Sequence, residues 1–265
     1  MNMLWTPRQK RIARPTPTEC NGLGLGLGFG GGGGPVSGVI DPASLALSGW
    51  YRDYTAALPW AGKASAGTSG TPTLQTGGFG APGAGATSNG RTSAAFPADK
   101  YIRDAVGLVG AYITPTAWRA IIVARFDAPA AAGANPYNDA AFLQDGSNGV
   151  WGVAINSTNI FAYAYVGGTP KVAAVAYPGT GWHMIDASYD GATLSCSVDG
   201  GTPGTIASAT PNDCTADTLI VGASYNGATK YNGDIAEIIT AKTTLSGTST
   251  ADFKAYVNNY YGLAL

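Results

Sequence analysis

Carboxylate side chains are the first candidates for chemistry in this sequence. Hydrolysis of a glycosidic bond needs two carboxyl groups roughly 5 to 9 Å apart, one as acid and one as base or nucleophile. The chain has only two glutamates, Glu19 and Glu237, which are far apart in sequence. Asp234 lies three residues before Glu237, and on a regular strand such residues point to opposite faces of the sheet. The spacing argues against a catalytic pair, and we expect no enzymatic activity.

Nucleophilic and transition-metal chemistry also find little support. A serine or cysteine nucleophile needs a neighbouring base, and His183 is the only histidine. The three cysteines are Cys20, Cys196 and Cys214, an odd number that is too small for a disulfide framework. No His/Cys cluster with metal-ligand spacing is present. We expect Cys196 to be a buried free thiol, with a Cys196–Cys214 bridge as the alternative.

The elements that would position any such side chains are strands, and the clearest are at residues 182–201. Residues 182–189 suit a pleated surface, and Asp190-Gly191 is a turn dipeptide because glycine accepts positive φ. From Thr193 to Val198 apolar and polar residues alternate, which places one dry and one wet face on a strand. The pattern predicts an antiparallel hairpin of the kind that builds all-β sandwiches.

This hairpin, WHMIDASYDGATLSCSVDGG, resembles the central hairpin of the laminin-G-like, concanavalin A-like lectin family. Residues 232–242, NGDIAEIITAK, and the following short helix that ends in YYGL at 260–263 are similar to the closing strand and C-terminal helix of bacterial and phage members. Residues 43–50, ASLALSGW, resemble their opening strand. The resemblance implies an all-β, concanavalin A-like jelly-roll sandwich of two antiparallel sheets over residues 36–265, with a short C-terminal helix.

The resemblance also bears on the sites. Glucanases with this fold carry a Glu-x-Asp-x-Glu pattern, which this chain lacks, and the family's histidine at position 183 is part of the fold. Some members bind calcium at a loop edge through an aspartate, so calcium is the one cofactor that we consider, with weak candidates at Asp145, Asp213 and Asp217. Sugar binding needs aromatic platforms and planar polar groups, and the candidates are Trp151, Tyr163, Tyr165, Tyr225 and Asn226. The alternative is that these aromatic side chains belong to the core or to a subunit contact.

The rest of the domain gives further strand predictions. We predict strands at 45–51, 101–108, 117–126, 140–143, 150–155, 159–166, 171–177, 218–223 and 234–241. Residues 55–96 are predicted as long loops with a short strand or two, and Asn89-Gly90 could turn a hairpin. Ser249, with Asp252 three residues on, predicts the start of a helix that buries Phe253, Val257 and Tyr260.

Residues 1–35 differ in composition from the rest and are predicted to form an extended arm and linker. Prolines forbid a continuous helix in the first part, and residues 22–34 are mostly glycine, without the Gly-Lys-Ser/Thr of a phosphate-binding loop. We expect the arm to bind a partner protein through two apolar and four basic side chains, namely Leu4, Trp5, Arg8, Lys10, Arg11 and Arg14. The alternative is a disordered tail.

Composition excludes several classes of partner. Charged residues make up 12% of the chain and the net charge is −1, so we expect no nucleic-acid binding. No apolar run reaches 18 residues, and we expect neither membrane insertion nor a signal peptide.

An arm, a glycine linker and one lectin-like domain without catalytic carboxylates resemble small phage decoration and fibre proteins. We therefore expect a structural virion protein, assembled in the host cytoplasm, that attaches to other virion proteins through its arm. It would display a glycan-binding domain on the head, tail or fibre, as a homo-oligomer. The alternatives are a free secreted or surface carbohydrate-binding module and, third, a glycoside hydrolase.

Overall fold

The computed structural model describes residues 39–55, 60–66, 81–97, 100–129, 131–133, 135–147 and 149–265. Within them the chain forms two antiparallel β-sheets and a short C-terminal α-helix, as predicted from the sequence. The predicted arm lies outside the described residues. None of the helices in the described ranges has the length and apolar content needed to cross a membrane.

The elements are joined by connections of very different lengths, the longest running from Arg52 to Gly83. In chain order they are β1 (Gly49–Arg52), β2 (Gly83–Ser88), β3 (Arg91–Phe96), β4 (Ile102–Leu108), β5 (Trp118–Phe126), β6 (Ala140–Asp145), β7 (Trp151–Ile155), β8 (Asn159–Val166), β9 (Thr169–Ala176), β10 (Gly181–Tyr189), β11 (Thr193–Val198), β12 (Gly204–Ala207), β13 (Thr218–Val221), β14 (Gly233–Ala241) and α1 (Thr250–Tyr261).

The strands of the described region divide into a large and a small sheet. The large sheet has the order β12-β11-β10-β5-β14-β3-β2, and β1 pairs with β14 on the same edge as β3. The small sheet has the order β4-β13-β6-β7-β8-β9. Neighbours that are distant in sequence, such as β5 and β14, are typical of a jelly roll, in which strands pair by long connections.

The main hydrophobic core lies between the two sheets. The central strand β5 turns Ala120, Ile122 and Ala124 into this core and directs Ile121 and Val123 to the outer face of the large sheet. On that outer face they belong to a second apolar cluster that includes Phe253 and Val257 of α1. Both faces of β5 are therefore buried, which explains its nearly continuous apolar sequence.

The predicted hairpin is confirmed. Strands β10 and β11 pair with Asp186 opposite Ser197 and Ser188 opposite Ser195. The Asp190 carboxylate accepts hydrogen bonds from the backbone of Ala192 and Thr193 and so closes the turn between them. The hairpin of β2 and β3 around Asn89-Gly90 is also present. Strand β12 was not predicted.

The helix also begins where the sequence predicts. Ser249 and Asp252 form a reciprocal capping box, and the helix ends at Gly262, whose φ of 64° favours glycine. Phe253 and Val257 are buried as predicted, whereas Tyr260 is half-buried. The helix covers the outer face of the large sheet, where its buried side chains pack with Ile121, Val123 and Ile239.

Candidate ligand-binding surface

Three half-buried tyrosines form an aromatic patch on the outer face of the small sheet, which we call the tyrosine surface. Tyr165 projects from β8, Tyr137 comes from the turn Pro136–Asn138, and Tyr225 comes from the loop between β13 and β14. The ring centres of Tyr137 and Tyr165 are 5.8 Å apart, and Tyr137 meets Tyr225 edge-on at 5.3 Å. The Asn135 amide donates a 3.1 Å hydrogen bond to the Tyr137 hydroxyl. Aromatic rings and an amide group therefore lie side by side and partly accessible on this surface.

The sheet beneath holds these rings in place. Tyr163 is fully buried and meets Tyr165 edge-on with ring centres 6.4 Å apart. Its ring crosses Gly152 on β7, where an added Cβ would lie 2.6 Å from the ring. The Gln144 amide donates a 3.1 Å hydrogen bond to the carbonyl of Tyr137 and fixes that turn to β6. The small sheet thus holds Tyr165 directly through β8 and Tyr137 through Gln144 of β6.

The structure corrects two of the predicted sugar-binding residues. Trp151 is 2% exposed and packs in the inter-sheet core, with its ring 5.5 Å from Trp118. Side chains of β7 alternate between the two faces of the sheet, and Trp151 lies on the same inward face as Val153 and Ile155. Tyr163 lies on the outward face but is covered, and burial raises the pKa of its hydroxyl well above the usual range. Neither side chain can be a contact platform, although Tyr163 supports one.

Two other predicted residues, Tyr165 and Tyr225, lie in the tyrosine surface. Asn226 is exposed beside them, and its side-chain oxygen accepts hydrogen bonds from Ser224 and from the backbone of Ala228. It shapes the loop that carries Tyr225. Tyr137 was missed, because it lies in a loop without periodicity; the signal was the Pro136-Tyr137-Asn138 turn, which can present a side chain without a strand.

The calcium candidates do not form one site. Among the described residues, no group of three His, Cys, Asp or Glu side chains is arranged to hold a metal ion. The Asp145 carboxylate is buried and accepts a 2.7 Å hydrogen bond from the backbone of Trp151. The Asp213 carboxylate binds the backbone and hydroxyl of Thr215 within its own loop. Asp217 lies nearby in chain order but does not complete a set with them.

The acidic residues of β14 require a correction as well. A bulge between Ile235 and Glu237 places Asp234 opposite Arg125 and Glu237 opposite Val123. Those two partners are two residues apart, so Asp234 and Glu237 share the outer face, contrary to the prediction for a regular strand. Both are nevertheless buried, and Asp234 forms a 2.6 Å ion pair with Arg125.

His183 is held by neighbouring side chains of the fold, and the cysteines are buried within it. The His183 Nδ1 lies 2.6 Å from the Asp199 carboxylate, and its ring stacks on Phe126 with centres 4.8 Å apart. Cys196 and Cys214 are both free and buried, so the alternative of a bridge between them is wrong. Burial raises the pKa of the Cys196 thiol to about 12, which makes it a poor nucleophile.

Several solved structures are similar to this chain. Domain 4 of AbnA, a GH43 extracellular arabinanase from Geobacillus stearothermophilus in complex with arabinotriose, is 12% identical, with 82% of this chain and 99% of that chain covered and a TM-score of 0.56. Domains LG4-5 of the mouse laminin alpha1 chain are 14% identical, with 56% of this chain and 40% of that chain covered and a TM-score of 0.44. This chain thus spans well under half of the laminin structure.

A further similar structure is the IT-sialidase CBM40 of Ruminococcus gnavus bound to alpha2,3 sialyllactose. It is 14% identical, with 53% of this chain and 82% of that chain covered and a TM-score of 0.41. No protein-family model and no curated protein matches the sequence. Together with the sheet topology, the arabinanase domain identifies the fold as a laminin-G-like, concanavalin A-like β-sandwich. At this identity the likeness concerns the fold alone, since this fold carries many functions.

Proposed function

We propose that this chain is a non-catalytic carbohydrate-binding protein whose tyrosine surface receives a neutral glycan. The observation that carries the proposal is the cluster of the half-buried Tyr137, Tyr165 and Tyr225 on the outer side of the small sheet. Tyrosine presents an apolar ring face and a polar hydroxyl, which match the C–H face and the hydroxyl groups of a sugar. The nearby Asn135 and Asn226 add planar amide groups. The arabinotriose bound to the AbnA domain is consistent with a sandwich of this shape serving as a binding module.

Burial of the carboxylates supports a binding rather than a hydrolytic role. Glu237 is 0% exposed and Asp234 is 2% exposed, so a polysaccharide could not reach either of them without displacing α1 or Arg125. A general acid must come within about 3 Å of the bond that it protonates. We therefore propose that the glycan is held and not cleaved.

We also propose that the domain is displayed on a bacteriophage particle. The support is the composition of residues 1–35, in which four basic side chains and the anchors Leu4 and Trp5 precede a glycine-rich linker. In this proposal the arm binds another virion protein, the particle carries several copies, and the domain meets glycans of the host surface. A free carbohydrate-binding module is the alternative, and it would need no partner for the arm.

The glycan proposal is tested with the full-length protein on a glycan array that includes arabinotriose. Replacing a stacking aromatic ring should weaken binding by about tenfold or more, the usual effect of losing a central contact. We expect this loss for Tyr165→Ala and Tyr225→Ala, and near-normal binding for Tyr165→Phe, which keeps the ring. Equal binding by all variants, or no binding to any glycan by the wild type, would reject the proposed surface.

A further inference from the structure

A polar cavity lies on the outer face of the large sheet, beside the start of α1. We call it the serine cavity. Its volume is about 140 Å³, enough for about five waters at their share of ~30 Å³ in the liquid. It is lined by Arg119, Asp186, Ser188, Ser195, Ser197, Gly201, Pro203, Thr244 and Thr250. The tyrosine surface lies on the small sheet, on the other side of the sandwich.

The floor of the serine cavity follows from the strand register. Ser188 on β10 is opposite both Arg119 on β5 and Ser195 on β11. One step along the sheet, Asp186 is opposite Ser197. Directly opposite residues share a face and lie roughly 5 Å apart at Cβ. Three strands therefore assemble three hydroxyl groups, one guanidinium and one carboxylate into a compact patch.

An ion pair fixes the charged part of this patch. The Nε and Nη2 atoms of Arg119 donate to the two carboxylate oxygens of Asp186 at 3.0 and 2.7 Å. The Thr250 hydroxyl donates to Asp186 at 2.6 Å, and the Arg119 Nη1 donates to the carbonyl of Thr248 at 2.9 Å. Such bidentate pairs hold their geometry well. The two charges cancel in place, so the cavity has no net attraction for an ion.

The serine hydroxyls are not used by the fold. Neither Ser188 nor Ser195 nor Ser197 has a side-chain hydrogen-bond partner within the described part of the chain. Ser197 is only 4% exposed, and its hydroxyl lines the cavity. Serine hydroxyls both donate and accept hydrogen bonds, and these three line the cavity with that capacity open to water or to a ligand. Here they face a space that a ligand can fill.

We infer that the serine cavity is a second binding site and takes one neutral, hydroxyl-rich ligand, namely a single sugar residue. Serine hydroxyls both donate and accept hydrogen bonds, as sugar hydroxyls do. An anion would need an excess of donors, but the charge of Arg119 is balanced by Asp186. An apolar ligand would find Pro203 as its main apolar wall. This site does not depend on the tyrosine surface.

The test uses the full-length protein and the free monosaccharides L-arabinose, D-galactose and D-glucose, each titrated to millimolar concentrations and followed by the amide NMR signals of β10 and β11. We expect at least one sugar to shift the signals of Ser188, Ser195 and Ser197. The triple variant S188A/S195A/S197A should bind that sugar at least tenfold more weakly, because neutral hydrogen bonds are lost. Its melting temperature should not fall, since no protein partner loses a contact.

The control is Ser157→Ala, which removes an exposed hydroxyl from the turn between β7 and β8 on the other sheet. It should leave the titration unchanged. The inference is overturned if none of the three sugars shifts these signals, or if the triple variant binds as tightly as the wild type. If Tyr165→Ala abolishes all sugar binding while the triple variant retains it, the tyrosine surface alone binds sugar. In that case the inference about the serine cavity is rejected and the proposed function stands. The reverse result would support the serine cavity and reject the tyrosine surface.

Discussion

Glu237 shows how strongly the environment of one side chain can change its chemistry. Its carboxylate is enclosed beneath α1 and accepts hydrogen bonds from Trp50 Nε1 at 2.6 Å and from the Tyr256 hydroxyl at 2.8 Å. Burial in this apolar layer raises the pKa of Glu237 to about 7, and the two hydrogen bonds only partly oppose that effect. The folded protein therefore retains a proton that the unfolded chain releases near pH 4.

This difference predicts a pH dependence of stability. Between the unfolded pKa and about pH 7 the folded state binds more protons, so the free energy of unfolding should fall as pH rises. The loss from this group should be on the order of 3 kcal/mol between pH 5 and pH 8. Glu237→Gln keeps an acceptor for Trp50 but cannot ionise, so it should remove that part of the slope. Urea unfolding of both proteins at the two pH values measures it, and parallel slopes would contradict the prediction.

Single residues were predicted unevenly from the sequence. The sequence correctly indicated that Glu237 has no Glu-x-Asp-x-Glu partners. It did not indicate that Glu237 and Asp234 lie on the same face of the sheet, because a one-residue bulge has no sequence signature here. Trp151 and Tyr163 were misjudged for a related reason. Strands β7 and β8 are apolar on both faces, so alternation cannot tell the core from the outer surface.

Among the elements, α1 is held to the large sheet by a polar network around Tyr260 in addition to its apolar face. The Tyr260 hydroxyl donates to the Asp53 carboxylate at 3.0 Å from both oxygens. Two guanidinium groups lie against its ring, that of Arg52 at 4.5 Å and that of Arg91 at 4.2 Å. Helix, β1 and β3 meet at this one side chain.

The network predicts a graded response to substitution. Two cation–π contacts contribute about 0.5–1 kcal/mol each and the hydrogen bond about 1 kcal/mol. Tyr260→Leu should thus lower the free energy of unfolding by about 2 kcal/mol. Tyr260→Phe keeps the ring and should cost about half as much, since it loses only the hydrogen bond. Guanidinium chloride unfolding of the three proteins measures both values, and equal effects of the two substitutions would show that the cations do not stabilise the helix.

Elements with explicit turn or cap residues were predictable. The positions of two turns and of the helix start were marked in the sequence by Asp190-Gly191, Asn89-Gly90 and the Ser249/Asp252 capping box. Strand β12 carries no such signal. The serine cavity was also beyond prediction, although the polar face of β11 was recognised. Arg119 and Asp186 are 67 residues apart, and only the register of β10 against β5 brings them together.

The whole molecule is divided in charge as well as in composition. The first 35 residues hold four basic side chains and one acidic one, Glu19, which gives +3. Because the chain as a whole carries −1, the remaining residues carry −4. The two proposed sugar sites lie on opposite outer faces of the sandwich. Under the proposed attachment, the basic arm binds the particle while the acidic domain presents these faces to the host.

This division predicts that attachment depends on both the apolar anchors and the charges of the arm. A buried Trp or Leu contributes about 1.5–3 kcal/mol, against roughly 1–2 kcal/mol for each residue that becomes ordered. The two anchors Leu4 and Trp5 cannot offset the ordering of the whole arm by themselves, so ionic contacts, and the avidity of several copies, should decide the outcome. Contacts made by exposed cations weaken with salt, because screening is strong beyond about 10 Å at 0.1 M.

The measurement is incorporation into intact phage particles. Deleting residues 1–34 should release the protein. Both Trp5→Ala and the joint replacement of Arg8, Lys10, Arg11 and Arg14 by serine should reduce incorporation severalfold, because each removes binding free energy that is needed to offset the entropy cost of ordering the arm. Raising salt should release the wild type and Trp5→Ala, whereas the residual attachment of the serine variant should respond much less. Glycan binding in solution should be normal in all of them, since the domain is unchanged. Normal incorporation of every variant, or absence of the wild-type protein from particles, would reject the virion proposal and favour a free carbohydrate-binding module.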